Sequence, residues 1–268
     1  GLDLLDAASV SRALNEEVRA ALDDLVVLPF VDSTNAEAQR QLAMGAPCGR
    51  VYTAELQSAG RGRRGRAWIS PFARNLYLSL TWAFPGGPES LSGLSLAVGV
   101  AVVHGLAAVG ATGLTLKWPN DVCHSDAKLG GILLETVGDA DGSCHVIIGV
   151  GLNVAMPRSV AAGIEQQWTD VSTVIGELTP DRNTLLAAVL NELLPMVGRF
   201  HSEGFGAWRE SWLQLDMTRD RAVVVEGTGL DRQEGIGRGV DTDGALLLET
   251  AGGLRRFHGG EISLRLQA

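Results

Sequence analysis

The sequence predicts a protein in two parts: a larger unit at residues 1–215 made of both strands and helices, and a small all-β unit at residues 216–268. Apolar runs that fit strands recur at residues 26–31, 51–55, 76–82, 114–118, 128–135 and 145–154, separated by stretches with helical spacing. After residue 216 the pattern changes to short strands between glycine turns, at 222–226, 234–240, 245–249, 254–257 and 262–266. Such spacing suits a small β-barrel or sandwich. A chain of 268 residues can bury a core large enough for both parts.

Residues 1–24 read as a short helical lead-in, with Leu14, Val18, Ala21 and Leu22 on one face. The strand at 26–31 leads to Asp32-Ser33-Thr34-Asn35, side chains that cap helices, and then to a helix at 36–43. A cap uses one such side chain, so some of Ser33, Thr34 and Asn35 are left to face a ligand. The strand at 51–55 delivers the chain to Gln57 and to Gly60-Arg61-Gly62-Arg63-Arg64-Gly65-Arg66-Ala67-Trp68. Pro71 marks a turn before the strand at 76–82, and Pro85-Gly86-Gly87-Pro88 marks another.

An apolar helix of small residues follows at 91–109. There Gly93-Leu94-Ser95-Leu96-Ala97 lacks the second glycine of a nucleophile elbow, so Ser95 reads as packing. The strand at 114–118 contains Lys117 and is stopped by Pro119, with Asn120-Asp121 just beyond and then a polar turn. The next strand opens on Lys128 and carries Gly130 and Gly131. A hairpin turn at 139–143 leads to the strand with Gly149 and Gly151, which ends near Asn153. Glycine inside a strand trades a side chain for close approach of something to the backbone. Loop and a short helix fill 157–181, and helices at 183–200 and 205–215 complete the larger unit.

The net charge of −9 argues against a general attraction to nucleic-acid phosphates, so the arginine-glycine loop is a local anion site on an acidic background. Its glycines allow backbone N–H groups to approach a ligand, and its arginines offer planar forks suited to phosphate or carboxylate. Gly60, Gly62 and Gly65 have the spacing of a dinucleotide fingerprint, but Trp68-Ile69-Ser70-Pro71 follows where that motif would open a helix. Composition alone leaves three readings: an anion cradle, a solvated basic loop, or a surface for nucleic acid. Like charges and glycines predict a loop that is mobile when empty and ordered by a ligand.

The three cysteines are widely spaced with no C-x-x-C pair, and the five histidines stand singly, so neither a disulfide framework nor a metal site is expected. No secretory leader and no run of about eighteen apolar residues is evident, which predicts a cytoplasmic protein without a membrane partner.

In order and spacing, Ser33-Thr34-Asn35, Gln57 with residues 60–68, Lys117-Trp118-Pro119-Asn120-Asp121, Lys128-Leu129-Gly130-Gly131-Ile132-Leu133 and Gly149-Val150-Gly151-Leu152-Asn153 resemble the biotin protein ligase family. The tail blocks Gly239-Val240-Asp241, Gly244 to Leu248 and Gly259-Gly260-Glu261-Ile262-Ser263-Leu264 resemble that family's C-terminal SH3-like barrel.

The resemblance implies an α+β catalytic domain of the class II synthetase-like biotin and lipoyl ligase type, a mixed sheet with helices on one side. It implies that biotin and MgATP form biotinyl-5′-AMP, and that a lysine of a biotin carboxyl carrier domain of acetyl-CoA carboxylase then takes the biotin. A lipoyl or octanoyl ligase of the same superfamily is the alternative. The catalytic residues implied are Arg61, Lys117 and Lys128. Biotin would be bound by Ser33, Thr34, Asn35, Gln57, Arg61, Gly62, Arg63, Lys128, Gly130, Gly131, Gly149 and Gly151. The nucleotide would be bound by Arg63, Arg66, Trp68, Lys117, Asn120, Asp121 and Asn153. Residues before the first strand are too few for the winged-helix domain of bifunctional members, so a ligase without DNA binding is expected.

Overall fold

The computed structural model describes residues 3–140, 143–227, 230–259 and 262–267. Part of the turn expected at 139–143, and the Gly260-Glu261 pair, lie outside the described residues. Seven strands form one sheet: β1 (Asp24–Leu28), β2 (Arg50–Ala54), β3 (Leu76–Pro85), β4 (Leu114–Lys117), β5 (Asp121–His124), β6 (Ala127–Ala140) and β7 (Ser143–Leu152). Their spatial order is β1-β2-β3-β7-β6-β5-β4. β1 and β2 run parallel and the other pairs antiparallel, so the sheet is mixed.

The helices are α1 (Ala7–Ala13), α2 (Glu16–Ala21), α3 (Thr34–Ala43), α4 (Leu94–Ala108), α5 (Val171–Ile175), α6 (Arg182–Glu203) and α7 (Gly206–Leu215). Because strand side chains alternate between faces, each strand serves two environments. Leu76, Leu78 and Leu80 of β3 and Ile148, Val150 and Leu152 of β7 share the main core with residues of α1, α2, α4, α6 and α7. On the opposite face, Tyr52 and Ile147 pack with Ala38 of α3 in a separate small cluster. The expectation of helices on one side is therefore corrected: α3 lies alone on the second face and covers only part of it.

Helix α4 is the centre of the main core, so it is apolar all round rather than striped. The stretch Pro88–Ala108 is long and apolar enough by composition to cross a membrane, and it is mostly buried here inside the protein. Glu89, Ser90, Ser92, Ser95 and His104 interrupt its apolar residues along with glycines, which is why a search for uninterrupted runs passes over it. Gly105 lets α4 approach α6, since a Cβ there would stand 2.6 Å from the Ala188 carbonyl oxygen.

One ion pair ties the amino-terminal segment to the sheet. Arg182, 2% exposed, lies 2.7 Å from the Glu55 carboxylate, and Glu55 also accepts the Leu5 N–H at 2.5 Å. The Arg182 guanidinium donates as well to the Asn75 and Asp3 carbonyls, at 3.1 and 3.0 Å.

The smaller sheet comprises β8 (Ala222–Gly227), β9 (Leu230–Val240), β10 (Leu246–Thr250), β11 (Gly253–Phe257) and β12 (Ile262–Leu266). The order is β11-β10-β9-β8-β12, all antiparallel, a meander whose last strand returns beside the first as in an SH3-like barrel. It is not a loose appendage. Val223, Val225, Leu246, Leu248 and Leu264 join the same core as α4, and the Trp118 indole donates to the Gly244 carbonyl at 3.1 Å.

Several elements differ from the sequence reading, with β6, β9 and α6 longer than expected. β1 begins at Asp24 and ends at Leu28, and Val31 pairs only with Gln57 in an isolated bridge. Strand β5 was not expected, because four residues with a polar one at each end carry no readable period. Strand β3 continues through Trp82 to Pro85, so only Gly86 onward turns.

Candidate active site

Where α3 leaves the second face bare, a cavity of about 840 Å³ opens, roofed by residues 61–69 and flanked by residues 262–265 of the barrel. Its floor exists because small residues sit where the strand period would put side chains. Ser79, Gly149 and Leu133 lie in one row across β3, β7 and β6, and Tyr77, Gly151 and Gly131 in the next. A Cβ on Gly149 would stand 2.3 Å from Asn35 Oδ1, and one on Gly151 would stand 2.8 Å from the Trp68 ring.

The roof is a short hairpin, not the shapeless loop its composition suggested. Trp68 N–H donates to the Gly60 carbonyl at 2.9 Å, Arg61 bridges Ala67, and Gly62 N–H donates to the Arg66 carbonyl at 2.8 Å. At the tip, Arg64 and Gly65 both take the left-handed conformation, with φ of 60° and 70°. The Arg63 guanidinium turns inward, donating to Asn120 Oδ1 at 3.1 Å and to the Ile262 carbonyl of the barrel at 3.4 Å. Burial pushes its pKa down. Arg66 lines the cavity and, with Arg64, Ser263 and Arg265, a neighbouring cleft of about 450 Å³.

At one end of the cavity, polar groups are interlocked. Thr34 donates to Gln57 Oε1 through both its N–H and its hydroxyl, at 2.9 and 3.2 Å. Gln57 Nε2 donates to Ser70, while Ser79 Oγ donates to Asn35 Oδ1 at 2.5 Å and lies 2.8 Å from Thr34 Oγ1. Ser33 is the N-cap of α3, yet its side chain makes no capping hydrogen bond, so the cap function does not use it.

Asp32 braces this turn from outside. The Arg40 fork donates to both Asp32 oxygens at 2.8 Å, and chiefly for that reason the carboxyl is held down at about 2. A carboxyl depressed in the folded state adds stability above its ordinary value of 3.8 and loses it as pH falls through about 2. Thermal midpoints measured from pH 5 to pH 2 should therefore fall more steeply for the wild type than for Asp32→Asn. Parallel curves would show that the brace contributes nothing.

At the other end lie the two lysines. Lys128 Nζ is 2.7 Å from one Asp121 oxygen and Lys117 Nζ is 3.6 Å from the other, leaving the trio with one net positive charge. Lys128 also lies 5.5 Å from the centroid of the Trp68 ring. The β4-β5 hairpin sets this geometry by pairing Lys117 with Asp121. Cys123, buried beside the trio, has its thiol pushed up to about 12 by desolvation and is chemically quiet.

Of the residues singled out in the sequence, the cavity is lined by Ser33, Thr34, Asn35, Gln57, Arg61, Gly62, Arg63, Arg66, Trp68, Lys117, Asn120, Asp121, Lys128, Gly131, Gly149, Gly151 and Asn153. Gly130 is the exception. It faces the main core, where its Cβ would meet Leu152 at 2.5 Å. Of the residues expected at the nucleotide, Asn120 Nδ2 donates to the Ile132 carbonyl and Asn153 Nδ2 to that of Thr169. Sequence reasoning missed Ser79 and Glu135, which hold Asn35, and the apolar group Met156, Ile164 and Trp168 that forms one wall. Only the density of apolar residues in 156–168 could have signalled that wall.

Comparison with known proteins gives a consistent result. The Biotin/lipoate A/B protein ligase family matches residues 27–153, and the biotin protein ligase C terminal domain matches residues 220–265. The bifunctional ligase/repressor BirA of Salmonella typhimurium is 40% identical, over 98% of this chain and 79% of that protein. The biotin--[acetyl-CoA-carboxylase] ligase of Paracoccus denitrificans is 34% identical, over 88% of this chain and 98% of that protein. Among solved structures, the biotin protein ligase from Aquifex aeolicus in complex with biotin and ATP superposes with a TM-score of 0.78 at 26% identity, covering 92% of this chain and all of that one.

Proposed function

This chain belongs to the biotin protein ligase family, and from that premise we infer how its cavity carries out the family's reaction. The enzyme uses ATP to activate biotin as biotinyl-5′-AMP and then transfers biotin to protein. In our assignment the interlocked end of the cavity, with Ser33, Thr34, Asn35, Gln57 and the backbone at Gly62, takes the ureido ring. The glycine floor at Gly131, Gly149 and Gly151 takes the sulfur-containing ring and tail. The tail's carboxylate then reaches Lys128, and the wall of Met156, Ile164 and Trp168 takes the adenine. Asn120, Asp121 and Asn153 position the nucleotide from the strand ends, and Trp68 closes over the adenylate. The catalytic unit ends at residue 215 and the barrel begins at residue 216.

The chemistry explains the charges. A carboxylate must attack an α-phosphate, two anions that repel, so Lys128 and Lys117, aided by Arg61, Arg63 and Arg66, offset the negative charge that builds as pyrophosphate leaves. The same groups then stabilise the acyl-phosphate oxygen while a lysine amine of the acceptor attacks the carbonyl and AMP departs. Among the described residues, no group of three or more His, Cys, Asp or Glu side chains is placed to hold a metal ion. Magnesium would accordingly ride on the phosphates, with Asp121 at hand, and neutralise their charge. We take the acceptor to be the biotin carboxyl carrier domain of an acetyl-CoA carboxylase. We place the enzyme in the cytoplasm, which suits its three free thiols.

The observation that carries the assignment is the convergence of polar end, glycine floor and lysine pair in one cavity. Incubation with biotin, MgATP and a carrier domain should yield one biotin per carrier lysine together with AMP and pyrophosphate. Lipoate in excess should neither compete nor be transferred. Transfer of lipoate at a comparable rate would reassign the substrate, and absence of biotin binding in calorimetry would remove the assignment.

A further inference from the structure

Glu135 has no part in the chemistry of adenylate formation, yet its carboxylate touches both the polar end and the roof of the site. It sits on β6, on the same face as Gly131 and Leu133, with Ile147 opposite on β7. One oxygen, Oε2, accepts from Asn35 Nδ2 at 2.7 Å, and the other, Oε1, lies 3.5 Å from Arg61 Nη2 in the hairpin. The first contact sets the orientation of the Asn35 amide: with Nδ2 held by Glu135, Oδ1 is turned to the Ser79 hydroxyl at 2.5 Å. The second contact joins the hairpin to the sheet at Arg61, and the bonds of Arg63 join it to Asn120 and the barrel. The hairpin is thus held at two points.

Resting on the biotin assignment, we propose that Glu135 is a positioning residue that latches the arginine hairpin over the bound ligand by pairing with Arg61, while fixing the amide that faces the polar end. Its side chain is 32% exposed and that of Arg61 is 45% exposed, so the latch is soft and salt-sensitive rather than a permanent clamp. A soft latch suits a roof that must open to admit biotin and again to expose the adenylate to an acceptor. The Glu135 carboxylate acts on the residence of the closed state, and the charge that builds in adenylate formation is met by the lysines and arginines.

The test uses the intact enzyme, preloaded with labelled biotinyl-adenylate, and follows its release. Glu135→Gln keeps an oxygen for Asn35 and removes the charge facing Arg61. Release should quicken by roughly 1.5- to 5-fold, the range of a partly exposed ion pair, with biotin affinity changed less than that. Raising the salt should speed release from the wild type and from Glu135→Asp but not from Glu135→Gln, a dependence that a merely structural role would not give. In an Arg61→Gln background, Glu135→Gln should add nothing further. Unchanged release, or an equal salt response in wild type and Glu135→Gln, overturns the proposal. A wild-type protein that retains no adenylate at all would instead overturn the biotin assignment on which it rests.

Discussion

Lys128→Ala is expected to lower the rate of biotinyl-adenylate formation by roughly two to three orders of magnitude while the protein stays folded. The amine stands 2.7 Å from Asp121 and 5.5 Å from the centroid of the Trp68 ring, where our assignment brings the acid's carboxylate and the nucleotide's phosphate together. Removing it leaves Asp121 balanced by Lys117 alone, at 3.6 Å, and the trio loses its net positive charge just where negative charge accumulates. Lys128→Arg keeps the charge but spreads it over a planar fork, so it should recover only part of the rate. Biotin-dependent exchange of pyrophosphate into ATP measures this step without the acceptor. A loss of less than fivefold for Lys128→Ala would place the charge stabilisation elsewhere.

The second large effect is on the fold. Glu55→Ala takes from the Arg182 guanidinium, which is 2% exposed, the carboxylate that lies 2.7 Å away, and leaves it only the Asp3 carboxylate at 3.8 Å. Breaking a buried ion pair by removing one partner costs about 3–5 kcal/mol. For a chain of this size that corresponds to a fall in thermal midpoint of roughly 6–20 °C. The damage should reach the site as well. Glu55 is two residues before Gln57, and its backbone is fixed by hydrogen bonds to Leu28 and from Ala73 at 2.9 and 3.0 Å. Biotin affinity should therefore fall with stability. Glu55→Gln, which still offers an oxygen to Leu5 and Arg182, should cost distinctly less. Equal midpoints for Glu55→Ala and the wild type in calorimetric melts would show that Arg182 is satisfied by Asp3 and the Asn75 carbonyl without Glu55.

Much of the site was legible because its demands fall on residue type. A floor that admits a ligand needs glycine in a strand, and a roof over phosphates needs arginine with glycine, so Gly149, Gly151 and residues 60–68 stand out in the bare sequence. The sequence also held a correction that was not read from it. Gly130 and Gly131 are adjacent in one strand and must point to opposite faces, so only one of them could face the ligand. Ser79 and Glu135 were invisible for a different reason. Each is an ordinary strand residue whose importance comes from Asn35, 44 and 100 residues away in the chain. The hairpin form of residues 60–68 was not legible because glycine content and like charge say nothing of the bonds between Gly60 and Trp68 and between Gly62 and Arg66 that close it.

Strand β7 divides its duties by parity, with Ile148, Val150 and Leu152 in the core and Gly149 and Gly151 beneath the cavity. A designer wishing to make this enzyme accept a bulkier vitamin analogue can gain nothing there, since glycine cannot be trimmed further and its neighbours hold up the fold. Extra room has to come from overhead, at Trp68, whose ring lies directly on Gly151.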